Sequence, residues 1–232
     1  AAFDVGRPHS VCVNRNGVRF VDEACGYDEF GEAMVADQLK TGANTPCWLV
    51  FDATFRKNYS AGGFMPTIIM PDPIIPPDFW DHYIFRAPTL EALAARIHLP
   101  VDALRSTVAN MNQYARAGVD PEFGRGGNDY DRMFGDPAVT PNPCLGAIDQ
   151  APYYAVPINL GDLGTKGGLK ADARARVIDQ DGRPIPKLYA AGNNTGTPFG
   201  NRYPGAGGTI GPAMTFAFVA INDIAERGSK QE

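Results

Sequence analysis

The sequence lacks the features that mark several large classes of protein. No apolar run approaches the ~20 residues needed to span a bilayer, and Lys and Arg form no cluster typical of nucleic-acid binding. The first residues contain neither a Met nor a basic stretch followed by an apolar one, so no secretory leader is visible. We therefore predict a protein with no membrane span, no nucleic-acid partner and a cytoplasmic location.

Cysteine and histidine are too few and too scattered to predict a metal centre. The chain has four cysteines and three histidines, and no two cysteines stand in C-x-x-C spacing. Zinc sites need closely spaced ligands of these types, so we predict no metal and four free thiols, as in a reducing cytoplasm. The Walker A, G-x-S-x-G and H-E-x-x-H motifs are also absent.

Glycine and proline, in contrast, are abundant. The chain of 232 residues contains 26 Gly and 20 Pro, about a fifth of the total against a background of roughly 12%. This composition excludes a coiled coil or a helical bundle. Hydrophobic residues at 44% and aromatic residues at 10% exclude disorder for most of the chain. We expect a loop-rich globular protein of one or two domains with a net charge of −5.

Local signals in the first part of the chain predict four features. Apolar runs at residues 10–14 and 18–21 flank an Asn-Gly pair, which favours a β-hairpin. Acidic residues open the segment 28–40, which predicts a helix. Residues 47–52 are typical of a buried strand. Six prolines within residues 60–88 exclude a long helix there and predict an irregular excursion.

The middle of the chain contains two predicted helices followed by a loop. Thr89 is a suitable N-cap for a helix to about residue 98. Pro100 suits the first position of a second helix, which Gly118 ends. Residues 118–151 have loop composition, and residues 153–158 are strand-like.

The composition changes near residues 159–166, which predicts a domain boundary. Beyond it, residues 175–178 and 188–191 flank an Asp-Gly turn and read as a pair of strands. A glycine-rich loop covers residues 192–211, and an apolar helix is predicted over residues 212–227.

The end of this loop is the strongest candidate for a binding site. Gly205, Gly207, Gly208 and Gly211 lie within seven residues, directly before a helix. Their backbone N–H groups and the helix N-terminus suit a carbonyl oxygen, a phosphate or the electron-rich edge of a flavin. The alternative is a tight turn that permits close helix packing. The spacing fits G-x-G-x-x-G poorly, and no βαβ unit follows, so a self-contained dinucleotide-binding fold is not expected.

Two tyrosines are candidate acid–base groups. Tyr203 stands at the mouth of the glycine-rich loop, and Tyr27 follows the predicted hairpin. A tyrosine can donate from its neutral hydroxyl, or act as a base if its pKa of about 10 is lowered. The alternative for either residue is a packing role.

Four stretches of the chain carry a family resemblance. VNRNGVRFVDEACGY resembles the V-N-x-x-G-x-R-F-x-x-E-x-x-x-Y signature of the succinate dehydrogenase/fumarate reductase flavoprotein superfamily. GDLGTKGGL, RVIDQDGRPIPKLYAAGN and YPGAGGTIGPAMTFAFVA resemble the C-terminal part of FAD-dependent 3-ketosteroid Δ1-dehydrogenases. The resemblance implies an α+β fold. Residues 1–160 would be a catalytic (capping) domain of mixed strands and helices, and residues 161–232 the C-terminal lobe of an α/β FAD-binding domain.

The resemblance also implies that part of the enzyme precedes this chain. The family's G-x-G-x-x-G stands in an N-terminal FAD-binding half, which would be cleaved off, present as a separate partner chain, or absent. We expect FAD in the complete enzyme rather than in the isolated chain, which we expect to be inactive. An apolar surface left where that half would sit would favour a homodimer.

The reaction implied is 1,2-desaturation of a 3-ketosteroid or related cyclic ketone, with an electron acceptor that the resemblance does not specify. Tyr203 and the Gly207 N–H would hold the ketone oxygen, and Tyr27 would remove the proton beside it. A flavin would take the hydride. The residues expected to contact the flavin are Gly168, Leu169, Gly192, Asn193, Ile210, Gly211, Pro212, Ala213 and Met214.

Two other interpretations stay open at this point. A fumarate reductase-like enzyme would carry a His in an H-T-x-G-G motif, where this chain reads Gly164-Thr165-Lys166-Gly167-Gly168, with Arg202 as the cation in the last loop. The chain could instead act as a non-catalytic fragment or accessory subunit.

Overall fold

The computed structural model describes residues 4–162, 164–200 and 202–228. The chain divides into two compact units between Leu160 and Gly161. This point lies within the segment in which the composition changes. Helices and strands are mixed, as expected for an α+β protein.

A four-stranded antiparallel sheet forms the centre of the first unit. Its strands are β1 (Ser10–Val13), β2 (Cys47–Phe51), β3 (Phe85–Ala87) and β4 (Tyr153–Ile158), in the order β1-β2-β4-β3. In the register, Leu49 stands opposite Cys12 on one side and Val156 on the other. The strands predicted at residues 47–52 and 153–158 are confirmed.

Five helices pack around this sheet. They are α1 (Tyr27–Thr41), α2 (Ala53–Asn58), α3 (Leu90–Arg96), α4 (Val101–Ala117) and α5 (Asp129–Met133). The three longer predicted helices are confirmed. The short helices α2 and α5 are not predicted from the sequence, because one or two turns leave no clear apolar periodicity.

Capping residues set the helix ends. Gly42 and Gly118 adopt φ values of +69° and +73°, and their N–H groups return to Gln38 and Tyr114. Only a residue without a Cβ takes this conformation cheaply. Pro100 is the N-cap of α4 and not its first residue, so the helix begins one residue later than predicted, at Val101.

Both faces of the sheet are buried, which explains the continuous apolar sequence of β2. Cys47, Leu49 and Phe51 face a core closed by α1 and α2. Trp48 and Val50 face a second core, closed by α3 and α4. Each fully buried Leu, Val or Phe contributes about 1.5–3 kcal/mol relative to an exposed one.

The predicted hairpin between residues 10–14 and 18–21 is wrong. The chain does turn at Asn14, whose N–H donates to the Val18 carbonyl at 3.0 Å, but β1 pairs with β2 instead. The outer edge of β1 is occupied by charged side chains. Glu23 accepts from the Cys12 N–H at 3.0 Å, and Arg125 donates to the Ser10 carbonyl at 2.9 Å. These two contacts take up backbone groups that a second strand would need at this edge.

The proline-rich excursion over residues 60–88 is irregular, as predicted, with two single-turn 3₁₀ helices before β3. Its first half is tied to the buried side chain of Arg56. This guanidinium donates to the carbonyls of Met65 and Met70 and to Asp72 at 3.1 Å. A buried arginine therefore replaces the regular backbone hydrogen bonds that the prolines prevent.

The second unit contains an antiparallel hairpin and a long helix. The strands are β5 (Arg176–Ile178) and β6 (Pro184–Tyr189), joined by the predicted Asp-Gly turn. Strand β6 begins four residues earlier than expected. Helix α6 (Ile210–Gly228) begins two residues earlier. Asp223 links α6 to the hairpin region, because it accepts from Tyr189 at 2.7 Å and from Arg174 at 2.9 Å.

Two features are absent from the residues that the structure describes. None of their helices combines the length and the apolar character that crossing a membrane requires. Nor do three or more of their His, Cys, Asp and Glu side chains cluster in a way that could hold a metal ion. All four cysteines are free thiols, of which Cys12, Cys47 and Cys144 are buried and Cys25 is half-buried.

Candidate functional site

The glycine-rich loop of the second unit presents open backbone. Gly205 and Gly207 have φ values of +109° and +91°, and a Cβ added to either would meet no atom within 4 Å. The loop continues directly into α6, because the Gly211 N–H donates to the Gly207 carbonyl at 2.9 Å. These positions need glycine for their backbone conformation, and the space beside them is free for a ligand.

This loop offers one backbone donor that has no competing acceptor. Within the described residues, no oxygen accepts a hydrogen bond from the Gly207 N–H. At the start of α6 the N–H groups of Gly211 and Ala213 donate to the carbonyls of Gly207 and Thr209, and the helix dipole places partial positive charge there. No acidic residue occurs between Tyr203 and Met214. The arrangement suits a carbonyl oxygen or an electron-rich ring edge.

Tyr203 is held against this loop by two neighbours. Its half-buried ring lies so close to Gly208 that a Cβ there would stand 2.9 Å from its Cε2 atom. The Nζ atom of Lys166 lies 5.2 Å from the centre of the ring. The same Nζ donates to the carbonyl oxygen of Arg202. These contacts hold the Tyr203 ring at the glycine-rich loop.

A second pair of segments lies side by side in this unit. The N–H groups of Gly167 and Leu169 donate to the carbonyls of Asn193 and Asn194 at 3.2 and 3.0 Å. Gly168 has no room for a side chain, since a Cβ would stand 2.3 Å from the Asn194 oxygen. This close backbone approach accounts for the GTKGG sequence.

Gly192 connects these segments to α6. It has a φ of +87°, and a Cβ at this position would meet the Cβ of Ala213 at 3.4 Å. The structure thus brings together most of the residues that the resemblance singles out. These are Gly168, Leu169, Gly192, Asn193, Tyr203, Gly207, Ile210, Gly211, Pro212, Ala213 and Met214. Within this group the side chains of Ile210 and Met214 are 62% and 67% exposed, so they are available to a ligand.

A cavity of about 490 Å³ opens beside the glycine-rich loop. Its volume lies within the range of small-molecule sites, roughly 300–1,000 Å³. No charged side chain lines it, so it suits a neutral, apolar ligand. Sequence reasoning missed Pro198, Phe199, Thr215 and Phe216, because nothing distinguishes a cavity-lining apolar residue from a core residue. The lining residues are Pro198, Phe199, Pro204, Ala206, Gly207, Gly208, Gly211, Pro212, Thr215 and Phe216.

Tyr27 belongs to the first unit, where it is the first residue of α1. It is half-buried and lines a small surface depression with Glu23, Cys25 and Tyr130. Burial and neighbouring carboxylates raise the pKa of Cys25 to about 12, so its thiol stays neutral at physiological pH. The depression therefore contains a tyrosine hydroxyl and no thiolate.

A buried ionic network stands directly before Tyr27. Arg19 contacts Glu23 at 2.7 Å and Asp120 at 2.9 Å, and Arg125 contacts Glu23 at 3.2 Å. Burial alone raises the pKa of Glu23, but Arg19 and Arg125 outweigh it and hold the pKa below its ordinary value. The R-F-x-x-E part of the signature thus has a structural role. Its partners lie about a hundred residues away, where no sequence signal announces them.

Comparison with known proteins identifies the family to which the chain belongs. Residues 3–210 match the FAD binding domain family, and the chain belongs to that family. FAD is the cofactor that this membership indicates.

Individual relatives are consistent with the family. The chain is 43% identical to a 3-oxosteroid 1-dehydrogenase of Mycolicibacterium smegmatis, over 94% of this chain and 38% of the relative. It is 38% identical to a 4-oxocyclohexanecarboxylate 2-dehydrogenase of Sinomonas cyclohexanicum, over 96% of this chain and 38% of the relative.

A solved structure shows the same fold. The 3-ketosteroid delta1-dehydrogenase from Sterolibacterium denitrificans, in complex with 1,4-androstadiene-3,17-dione, matches with a TM-score of 0.91 and 47% identity. The match covers 98% of this chain and 40% of that chain. The chain thus spans about 40% of the length of the relatives it matches.

Proposed function

We propose that the chain belongs to an FAD-dependent dehydrogenase that desaturates a 3-ketosteroid or a related cyclic ketone. In this proposal, residues 1–160 form the catalytic domain and residues 161–232 form a lobe of the FAD-binding domain. The observation that carries the proposal is the Tyr203–Gly207 loop. Its tyrosine is held by Lys166 and Gly208, and its Gly207 N–H, which has no acceptor among the described residues, borders a cavity without charged lining residues.

The first step is recognition of the ketone. The Tyr203 hydroxyl and the Gly207 N–H donate hydrogen bonds to the carbonyl oxygen. As the proton on the neighbouring carbon leaves, negative charge develops on this oxygen and both hydrogen bonds strengthen. Gly205 and Gly207 adopt φ values that glycine takes without a Cβ penalty, and this conformation orients the Gly207 N–H.

Proton and hydride leave from adjacent carbons, so that a C=C bond forms in the ring. Tyr27 takes the proton from the carbon beside the carbonyl as a phenolate base. The N-terminus of α1 favours negative charge at its first residue. FAD held by residues of the second unit would supply the acceptor for the hydride that leaves the next carbon.

The residues of the second unit fit the cofactor. Gly168 and Gly192 allow close backbone approach, and Ile210 and Met214 present exposed side chains at the start of α6. The nine residues proposed to contact FAD are Gly168, Leu169, Gly192, Asn193, Ile210, Gly211, Pro212, Ala213 and Met214. No acidic residue occurs between Tyr203 and Met214, and the N-terminus of α6 carries partial positive charge, which suits the electron-rich pyrimidine edge of a flavin.

Replacing Tyr203 by Phe in the enzyme that carries this chain tests the proposal. We expect kcat to fall by about 10²-fold or more, because the variant loses one donor to the developing negative charge. The measurement is steady-state turnover of a 3-ketosteroid with an artificial electron acceptor. Tyr83→Phe is the matched control, since Tyr83 is 61% exposed in the excursion of the first unit. Unchanged turnover in Tyr203→Phe contradicts the proposal.

Two observations favour a neutral ketone over a dicarboxylate such as fumarate. The chain carries Gly164 where a fumarate reductase-like site would carry the His of H-T-x-G-G. The cavity is lined by apolar residues, glycines and Thr215, without an Arg or Lys among them to hold a carboxylate. The same property favours a steroid over a cyclohexanone carboxylate, and the ratio of kcat/KM for these two substrates tests the preference.

A further inference from the structure

Lys166 makes two contacts at the base of the proposed ketone site. Its Nζ atom donates to the carbonyl oxygen of Arg202 and lies 5.2 Å from the centre of the Tyr203 ring. In the described part of the chain, no carboxylate forms an ion pair with this ammonium group. Its positive charge is therefore directed at the tyrosine and not cancelled by an acid.

The backbone around Lys166 is held in place. The next N–H, that of Gly167, donates to the Asn193 carbonyl at 3.2 Å, and Leu169 bonds to Asn194. The Lys166 side chain is half-buried. A long flexible side chain loses much conformational freedom when both its ends are fixed, so this arrangement needs a compensating interaction.

We infer that Lys166 is a positioning residue for Tyr203, which fixes the phenol ring and strengthens the hydrogen bond that its hydroxyl donates to the developing enolate oxygen. This inference rests on the proposed function of Tyr203. A cation over the face of an aromatic ring attracts its π-electrons. It also lowers the energy of negative charge at the end of that ring.

A purely structural role for Lys166 makes a different prediction. If the ammonium only holds the Arg202 carbonyl, any donor of suitable length replaces it. Lys166→Gln keeps a donor but removes the charge. Lys166→Arg keeps the donor, the charge and the capacity to stack on an aromatic ring. Lys166→Met keeps only the length of the chain.

The three variants separate these roles in the enzyme that carries this chain. We expect Lys166→Met and Lys166→Gln to lower kcat by about 3- to 30-fold while KM changes less than about twofold. Lys166→Arg should retain kcat within about threefold. Wild-type kcat in the Gln variant overturns the inference, as does an effect confined to KM. Equal losses in the Arg and Met variants overturn it as well.

A double-mutant cycle of Lys166→Met with Tyr203→Phe measures whether Lys166 acts on kcat through the Tyr203 hydroxyl. We expect Lys166→Met to cause no further loss of kcat once the Tyr203 hydroxyl is absent. The same fold-loss in both backgrounds overturns the inference while leaving the role of Tyr203 intact. If Tyr203→Phe alone leaves turnover unchanged, the proposed function fails instead.

Binding of a steroid with a phenolic A ring gives a readout that does not depend on turnover. Its ring oxygen occupies the place of the enolate oxygen, and a fluorescence titration measures its dissociation constant. We expect Lys166→Met and Lys166→Gln to weaken binding by at least about threefold, and Lys166→Arg to preserve it. Equal affinities in all four proteins overturn the inference. Equal thermal unfolding midpoints verify that the variants are folded.

Discussion

At the scale of single residues, the site depends on glycines that differ in what surrounds them. Gly205 and Gly207 face open space and are required by their φ values. Gly208 is required by its neighbours, because the Tyr203 ring, the Gly205 carbonyl and Pro204 all lie within about 3 Å of where its Cβ would be. A motif of glycines thus combines two different constraints that the sequence does not distinguish.

Replacing Gly208 by Ala separates these constraints. The added Cβ would stand 2.9 Å from Tyr203 and 3.0 Å from the Gly205 oxygen, so the ring or the loop must shift. We expect kcat for a 3-ketosteroid to fall by about tenfold or more, because small displacements of a donor weaken its hydrogen bond steeply. Gly161→Ala is the control, since its Cβ meets nothing within 4 Å. Equal activity of the two variants contradicts this expectation.

At the scale of helices and strands, local signals predict what local interactions decide. The ends of α1, α3 and α4 follow from Gly42, Thr89 and Gly118, whose capping contacts lie within the same segment. The apolar run of β2 identifies a buried strand. The pairing of β1 could not be predicted in this way, because Arg125 and Glu23, which occupy its edge, are remote in the sequence.

In the candidate site, too, local features could be predicted from the sequence and contacts between remote segments could not. The glycine loop and Tyr203 were identifiable from residue types and order, and so were Gly168 and Gly192 through the family resemblance. The contacts of Lys166 with Arg202 and Tyr203 were not, because they join segments 36 residues apart without a repeating pattern. The cavity-lining residues Pro198 and Phe199 carry no signal either.

Helix α1 offers a test of the capping argument with one substitution at two positions. Gly31 lies inside the helix with nothing within 4 Å of its Cβ position, whereas Gly42 ends the helix at a φ of +69°. We expect Gly31→Ala to raise the free energy of unfolding by about 1 kcal/mol. Gly42→Ala should lower it by about 1 kcal/mol. Urea denaturation measures both, and changes of the same sign would contradict the assignment.

At the scale of the whole molecule, the stability of the first unit depends on the charge state of its buried network. Glu23 lies between Arg19 and Arg125 with no exposed side-chain surface. Removing one member of such a group leaves a buried charge without its partner, which costs about 3–5 kcal/mol. We therefore expect Glu23→Gln to be strongly destabilising at neutral pH.

Lowering the pH should remove the stabilisation that Glu23 gives to the first unit. The pKa of Glu23 is held below its ordinary value of 4.5, so its stabilisation is fully present above that pH and is lost as the pH falls through the folded-state value. We expect the difference in unfolding free energy between wild type and Glu23→Gln to shrink below pH 4.5 in urea titrations.

The pH range below 4.5 is the appropriate test of Glu23, because a neighbour titrates in the opposite sense at higher pH. Burial raises the pKa of Asp22 to about 7, so this residue alone would make the fold more stable as the pH falls toward its ordinary value. A difference between wild type and variant that stays constant down to pH 3 would contradict the role assigned to Glu23.

The ionic network also determines how the sheet ends. An edge strand normally exposes a row of free N–H and C=O groups, to which a strand of another chain can add. On β1 the Cys12 N–H and the Ser10 carbonyl are already bonded to Glu23 and Arg125. Two charged side chains thus cover part of the edge of an otherwise apolar strand, and the residues that stabilise the first unit also hinder the addition of a further strand to its sheet.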